Sequence, residues 1–205
     1  VQAADTGDTT TIIETAIAAA EQIEEAQADV ADPQALEETI ADKGYHSKQA
    51  LRDLGVERGD RVAGYLPNIP ETVVAMLAVT SLGAVWSSCS PDFGVNGLKD
   101  RFGQIEPKVL ITADGYTYNG KSFDSLRAMA ELGAHIASVK KIVVIPFASA
   151  NPQIDILGEK GVLLADLCSG YSEKPLQFTP VNFRDPLFIL FSSGTTGLPK
   201  CFVHS

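Results

Sequence analysis

Basic residues are missing from the first 42 positions of this 205-residue chain. That segment carries eleven of the 26 acidic residues and none of the 16 Lys and Arg, so the net charge of -10 belongs to it and the rest is close to neutral. Phosphate backbones and anionic membranes need clustered basic side chains, which excludes nucleic-acid binding as an expected role. An acidic start is the opposite of a secretory or organellar presequence, and no apolar run approaches the length of a membrane span. Cysteine is scarce: Cys89, Cys168 and Cys201 have neither metal-ligand nor disulfide-framework spacing, so a reducing, cytoplasmic setting is expected. His46, His135 and His204 form no metal motif. Asp92-Phe93-Gly94 matches the kinase tripeptide, but no His-Arg-Asp loop or strand lysine motif accompanies it.

What is present falls into two parts. From Thr11 to Val30, Ile13, Ile17, Ala20, Ile23 and Ala26 recur at helical spacing with glutamates on other faces, which predicts an acidic amphipathic helix. Asp32-Pro33 breaks it, and a short helical pattern follows from Gln34 to Ala41. The character changes near Lys43, giving an acidic helical segment over 1–42 and a domain over 43–205.

Within the domain, helical patterns over Ser47 to Leu54, Pro70 to Leu82, Asn96 to Ile105 and Phe123 to Leu132 alternate with strand patterns. The strands are Arg61 to Leu66, Ala84 to Ser88, Val109 to Thr112 and Lys141 to Ile145. This alternation predicts an α/β fold, a mostly parallel doubly wound sheet with flanking helices, preceded by the acidic N-terminal helix. Residues 147–185 read as a long irregular connection with a short helix around Val162 to Leu167. Trp86 is expected in the core at a strand end. Pro186 to Phe191 is a continuous apolar run, the mark of a buried strand.

That strand leads into Ser192-Ser193-Gly194-Thr195-Thr196-Gly197-Leu198-Pro199-Lys200, which sets hydroxyls, glycines and one lysine in a single turn. Gly194 and Gly197 can take positive φ and let the backbone approach an anion closely. The hydroxyls add donors and Lys200 a mobile positive charge. The composition suits a nucleotide triphosphate. The spacing is not Walker A, because Leu198-Pro199 separates Gly197 from Lys200.

The same stretch resembles the phosphate loop of the adenylate-forming superfamily, the acyl-CoA synthetases and their relatives. Further strings extend the resemblance to the acetoacetate-activating family within it: Gly59-Asp60-Arg61-Val62, Gly64-Tyr65-Leu66-Pro67-Asn68, Gly83 to Ser88, Ser90 to Gly97, Arg101-Phe102 with Gln104-Ile105, Tyr118-Asn119-Gly120-Lys121 and Val203-His204. The resemblance covers about 160 residues, from near Lys43 onward. Two features depart from it. Residues 1–42 do not look like the family's N-terminal region, and Cys201 stands where the superfamily usually has Gly after Pro-Lys.

The resemblance implies ATP, Mg2+ and coenzyme A as cofactors. Acetoacetate would attack the α-phosphate of ATP to give acetoacetyl-AMP, and the CoA thiol would then displace AMP. Ser193, Gly194, Thr195, Thr196 and Gly197 would hold the β- and γ-phosphates, Lys200 would neutralise them as the catalytic residue, and Ser192 would donate a hydroxyl to the magnesium shell. Lys121 lies where some relatives place an arginine for CoA phosphates, although a lone surface lysine reads first as a solvated turn lysine. The chain is expected to be the N-terminal portion of an AMP-binding domain truncated after the phosphate loop, inactive alone, with the C-terminal remainder of the same enzyme as its partner. Two other readings stay open: a synthetase for another short-chain acid such as acetate, or a non-catalytic, truncated nucleotide-binding fragment.

Overall fold

In the computed structural model, which describes residues 47–171, 178–192 and 197–205, strand and helix alternate from Arg61 onward. Helix α1 covers 47–53. It is followed by β1 (Arg61–Tyr65), α2 (Pro70–Ser81), β2 (Val85–Cys89), α3 (Val95–Ile105) and β3 (Val109–Ala113). After a hairpin of β4 (Gly115–Tyr118) and β5 (Lys121–Asp124) come α4 (Leu126–His135), β6 (Lys141–Ile145), a 3-10 turn (Asp155–Lys160), β7 (Gly161–Leu163), α5 (Leu164–Cys168), β8 (Phe188–Ser192) and β9 (Lys200–His204). All described residues belong to one unit spanning 40–205. The helices expected over Thr11 to Val30 and Gln34 to Ala41 lie outside the described residues.

Seven strands form one sheet in the order β7-β6-β3-β1-β2-β8-β9, parallel throughout except for β9, which runs antiparallel to β8. The central strands are apolar at successive positions because both faces are covered. Every residue of β3 is buried, as are Val62 to Tyr65 in β1. Successive side chains point to opposite faces. Ala63, Leu110 and Val144 therefore pack with Leu98, Phe102, Met129 and Leu132 of α3 and α4. Their neighbours Val62, Val109 and Val143 pack with Leu51, Val79 and Leu167 of α1, α2 and α5. This is the expected α/β architecture, with the helices divided between two faces by the crossover direction.

The departures from the sequence reading are local. Phe123 opens no helix; it lies in β5, stacked on Tyr116 across the hairpin at 4.9 Å between ring centroids. The helix begins at Leu126, whose amide donates to Asp124 Oδ1 at 2.8 Å, and it runs on to His135. Asn119 and Gly120 have φ of 49° and 73°, the two positive values of a type I′ hairpin turn. Lys121 is thus the first residue of a strand rather than part of a turn. Within the expected irregular stretch, β7 adds a parallel edge strand beside β6.

Strand β8 was expected to be buried on both sides. Only Ile189 is buried, while Leu190 is 52% exposed. The sequence pattern of a covered strand is present, but among the described residues the cover on the outer face reaches Phe188, which packs against the second core cluster, and leaves Leu190 open. Lys200 is likewise not in the turn with the glycines: it starts β9, an edge strand exposed along its length.

Candidate active site

In a sheet of this kind, ligands bind outside the carboxyl ends of the parallel strands, and here those ends are fixed relative to one another. Tyr65 ends β1 directly beside Cys89 of β2. Strand β8 joins β2 through Trp86 with Phe188 and Ser87 with Ile189. The buried Ser87 hydroxyl donates to the Ile189 carbonyl at 2.8 Å, which pins β8 to the central sheet. Ser192, at the carboxyl end of β8, is thereby delivered to the same edge of the sheet as the loops that follow β1 and β2.

Across the β8–β9 ladder Ser192 pairs with Lys200, so two of the expected site residues come together. Ser193, Gly194, Thr195 and Thr196 lie outside the described residues. Gly197 has φ of 152°, a backbone conformation that L side chains rarely adopt. One participant escaped the sequence reading. Gln104, on the last turn of α3, donates from Nε2 to the Pro199 carbonyl at 2.9 Å, and its Oε1 lies 3.5 Å from the Cys201 sulfur. It therefore grips both neighbours of Lys200. The departure at position 201 supplied a signal, since a side chain there needs a neighbour that glycine does not.

At the carboxyl ends of β1 and β2 lies an open cleft of about 750 Å³, lined by residues after β1 (Pro67, Asn68), residues after β2 (Ser90 to Asp92), the β4 strand of the hairpin and Phe147. Tyr65 shapes its wall. The hydroxyl donates to the Pro91 carbonyl at 2.5 Å and lies 3.0 Å from that of Phe93, and burial pushes its pKa up to about 12. A phenol that remains protonated is a permanent donor, so the Pro91 loop stays held across the physiological pH range. Phe93 in turn carries the Arg101 guanidinium over its ring at 4.1 Å, which gives Asp92-Phe93-Gly94 a packing role.

Cys89 also lines the cleft, but burial pushes its thiol up to about 11, and burial likewise raises Cys168 and Cys201. All three are free, and a protonated thiol is a poor nucleophile. Lys121 is exposed and is the ladder partner of Tyr118, itself a cleft residue. Trp86 is 5% exposed and belongs to the core.

The family of AMP-binding enzymes matches residues 49–205. The chain belongs to the AMP-binding enzyme family. Within it, the chain is 52% identical over 162 residues to acetoacetyl-coenzyme A synthetase of Rhizobium meliloti (strain 1021), covering 77% of this chain and 24% of that protein. Acetoacetyl-CoA synthetase of Macaca fascicularis is 49% identical over 160 residues, covering 76% and 24%. Among solved structures, acetoacetyl-CoA synthetase from Streptomyces lividans superposes with a TM-score of 0.72 at 41% identity, covering 80% of this chain and 24% of that one. The chain thus spans about a quarter of the length of these AMP-binding relatives. An anthranilate CoA ligase with 21% identity and a TM-score of 0.67 shares the fold.

The described residues fit these ligands unequally. Ser192 and Lys200 suit a phosphate, one as a hydrogen-bond donor and one as a charge. For magnesium, Ser192 offers a single hard oxygen, and no cluster of three His, Cys, Asp or Glu that could hold a metal exists among the described residues. These residues alone do not build a magnesium site. No helix among them is long and apolar enough to cross a membrane.

Proposed function

We propose that this chain is the N-terminal portion, residues 43–205, of the AMP-binding domain of an acetoacetate-CoA ligase, with residues 1–42 a segment foreign to the family. The observation that carries the reading is the 45–52% identity to seven acetoacetyl-CoA synthetases across about three quarters of the chain. The reaction activates acetoacetate with ATP to acetoacetyl-AMP and pyrophosphate, then passes the acyl group to CoA. The loop from Ser192 to Lys200 holds the departing pyrophosphate. Its negative charge grows as the α-phosphate is attacked, and a preplaced ammonium and hydroxyl stabilise that charge without reorganising.

Coenzyme A is assigned to the 750 Å³ cleft. Tyr116, Tyr118 and Phe147 offer faces to a purine, and Lys121, one pairing step from Tyr118, offers a positive charge to its phosphates. ATP tail and thiol donor then enter along one edge of the sheet. The exposed Leu190 and Phe202, paired across β8 and β9, form an apolar surface that we assign to the C-terminal remainder of the same enzyme. We place the reaction in the cytoplasm, in keeping with three free cysteines.

Acetoacetate-dependent exchange of pyrophosphate into ATP, measured on the full-length protein, tests the reading. Exchange that prefers acetate or a long-chain acid rejects the substrate. The 205 residues alone are expected to form no acetoacetyl-CoA, and detectable turnover rejects that part.

A further inference from the structure

We infer that Asp114 is a positioning residue for the cleft, holding both Phe147 and the β4–β5 hairpin at its rim. The inference rests on the reading of that cleft as the coenzyme A site.

Asp114 is the single residue between β3 and β4. It is 7% exposed, and both its backbone and its side chain are spent on the rim. Its amide donates to the Ile145 carbonyl at 3.2 Å, and its carbonyl accepts from the Ser125 amide at 3.1 Å, closing the base of the hairpin. The carboxylate faces the turn that follows β6. Oδ1 accepts from the amides of Phe147 at 2.7 Å and Ala148 at 2.8 Å, and Oδ2 accepts from Ser149 at 2.8 Å. A buried carboxylate that receives three amide donors is well satisfied and strongly directional.

Phe147 makes this more than a local brace. Its side chain lines the cleft and the residue is 50% exposed, so packing does not fix where the ring stands. Its position follows from the backbone, and the backbone is fixed by Asp114. Tyr116 and Tyr118, which also line the cleft, stand on a hairpin whose base is closed at the same residue. Asp114 therefore ties both aromatic segments to one point, its carboxylate holding Phe147 and its backbone the base of the hairpin. Asparagine cannot do the same, because its amide nitrogen would turn a donor toward a donor amide.

The test compares Asp114→Asn, Phe147→Ala and the double variant in the full-length protein, reading KM for CoA, kcat, and pyrophosphate exchange without CoA. Asp114→Asn is expected to raise KM for CoA about tenfold, the size of losing one good contact, with a smaller effect on kcat. The double variant should be no worse than the poorer single, since both act through one ring. If Phe147→Ala raises KM while Asp114→Asn does not, the positioning role is overturned and the cleft assignment stands. If neither moves KM, the cleft assignment itself falls. Equal losses in pyrophosphate exchange and in the CoA-dependent rate mean a merely structural role and overturn the inference. Ser149→Pro, which deletes one donor and leaves the carboxylate intact, carries the same expectation in a smaller measure if Asp114→Asn does not fold.

Discussion

Ser192 and Lys200 are direct partners across the antiparallel pair of β8 and β9. Partners in such a ladder project to the same face, with Cβ atoms roughly 5 Å apart, so a hydroxyl and an ammonium share one side of the strand pair. Under the proposed function, Lys200 meets charge on phosphate and none on the acid. Lys200→Ala in the full-length protein should slow adenylation by about 10² to 10³, as removal of one preorganised group in the transition state does. KM for acetoacetate should move far less. Equal loss in both, measured by pyrophosphate exchange, counts against the role.

Gly64 and Trp86 make a second prediction, on stability. A Cβ added at Gly64 would stand 2.6 Å from Cη2 and 2.7 Å from Cζ2 of Trp86, on two central strands that cannot part. Gly64→Ala should cost about 1–3 kcal/mol through overpacking. Combining it with Trp86→Leu should return part of the loss, because the clash partner is gone. Additive losses in urea melts would show that the indole is not what excludes the methyl group.

These two pairs mark what the sequence could and could not say. The parallel strands were legible because burial on both faces leaves unbroken apolar runs, as in Val109 to Ile111 and Ile142 to Ile145, and β6 runs from Lys141 to Ile145 as read. The hairpin escaped because β4 and β5 are exposed and polar from Thr117 to Ser122, although Asn119-Gly120 is itself a hairpin signal. Strand β9 escaped because a glycine-rich run ending in Lys200 reads as one turn, and only pairing with β8 reveals where the loop ends. Residue types alone singled out Ser192 and Lys200 as candidates, and the ladder pairs them. Gln104, Tyr65 and Asp114 were not, since what they hold lies 95, 26 and 33 residues away along the chain.

At the opposite end of the sheet, Asp60 accepts from the Lys108 ammonium at 2.8 Å. Burial pushes the Asp60 carboxyl up, but the Lys108 hydrogen bond, the Glu57 amide and the nearby positive charges outweigh it and hold the group below its ordinary value of 3.8. A carboxyl lowered by folding stabilises the fold fully above its unfolded value, and that contribution disappears as pH falls through the folded value. The wild type should therefore melt above Asp60→Asn near about pH 6, with the gap closing below about pH 4. A gap that stays constant into acid would mean that the ion pair contributes nothing.

The last prediction concerns Glu106, which ends α3 in the left-handed conformation at φ 47° and ψ 63°. Its amide donates to the Phe102 carbonyl at 3.0 Å, and Arg61 donates to the carbonyls of Ile105 at 2.8 Å and Glu106 at 3.2 Å. All of these contacts use the Glu106 backbone or its neighbours, so Glu106→Gly keeps them. Left-handed backbone costs an L residue about 1–2 kcal/mol, while glycine adds back about 0.5–1 kcal/mol of chain entropy. The variant should gain roughly 0.5–1 kcal/mol in urea melts. Glu106→Val should lose stability instead, because a β-branched side chain fits that conformation worst. If glycine destabilises, the Glu106 side chain makes a contribution larger than the strain it imposes.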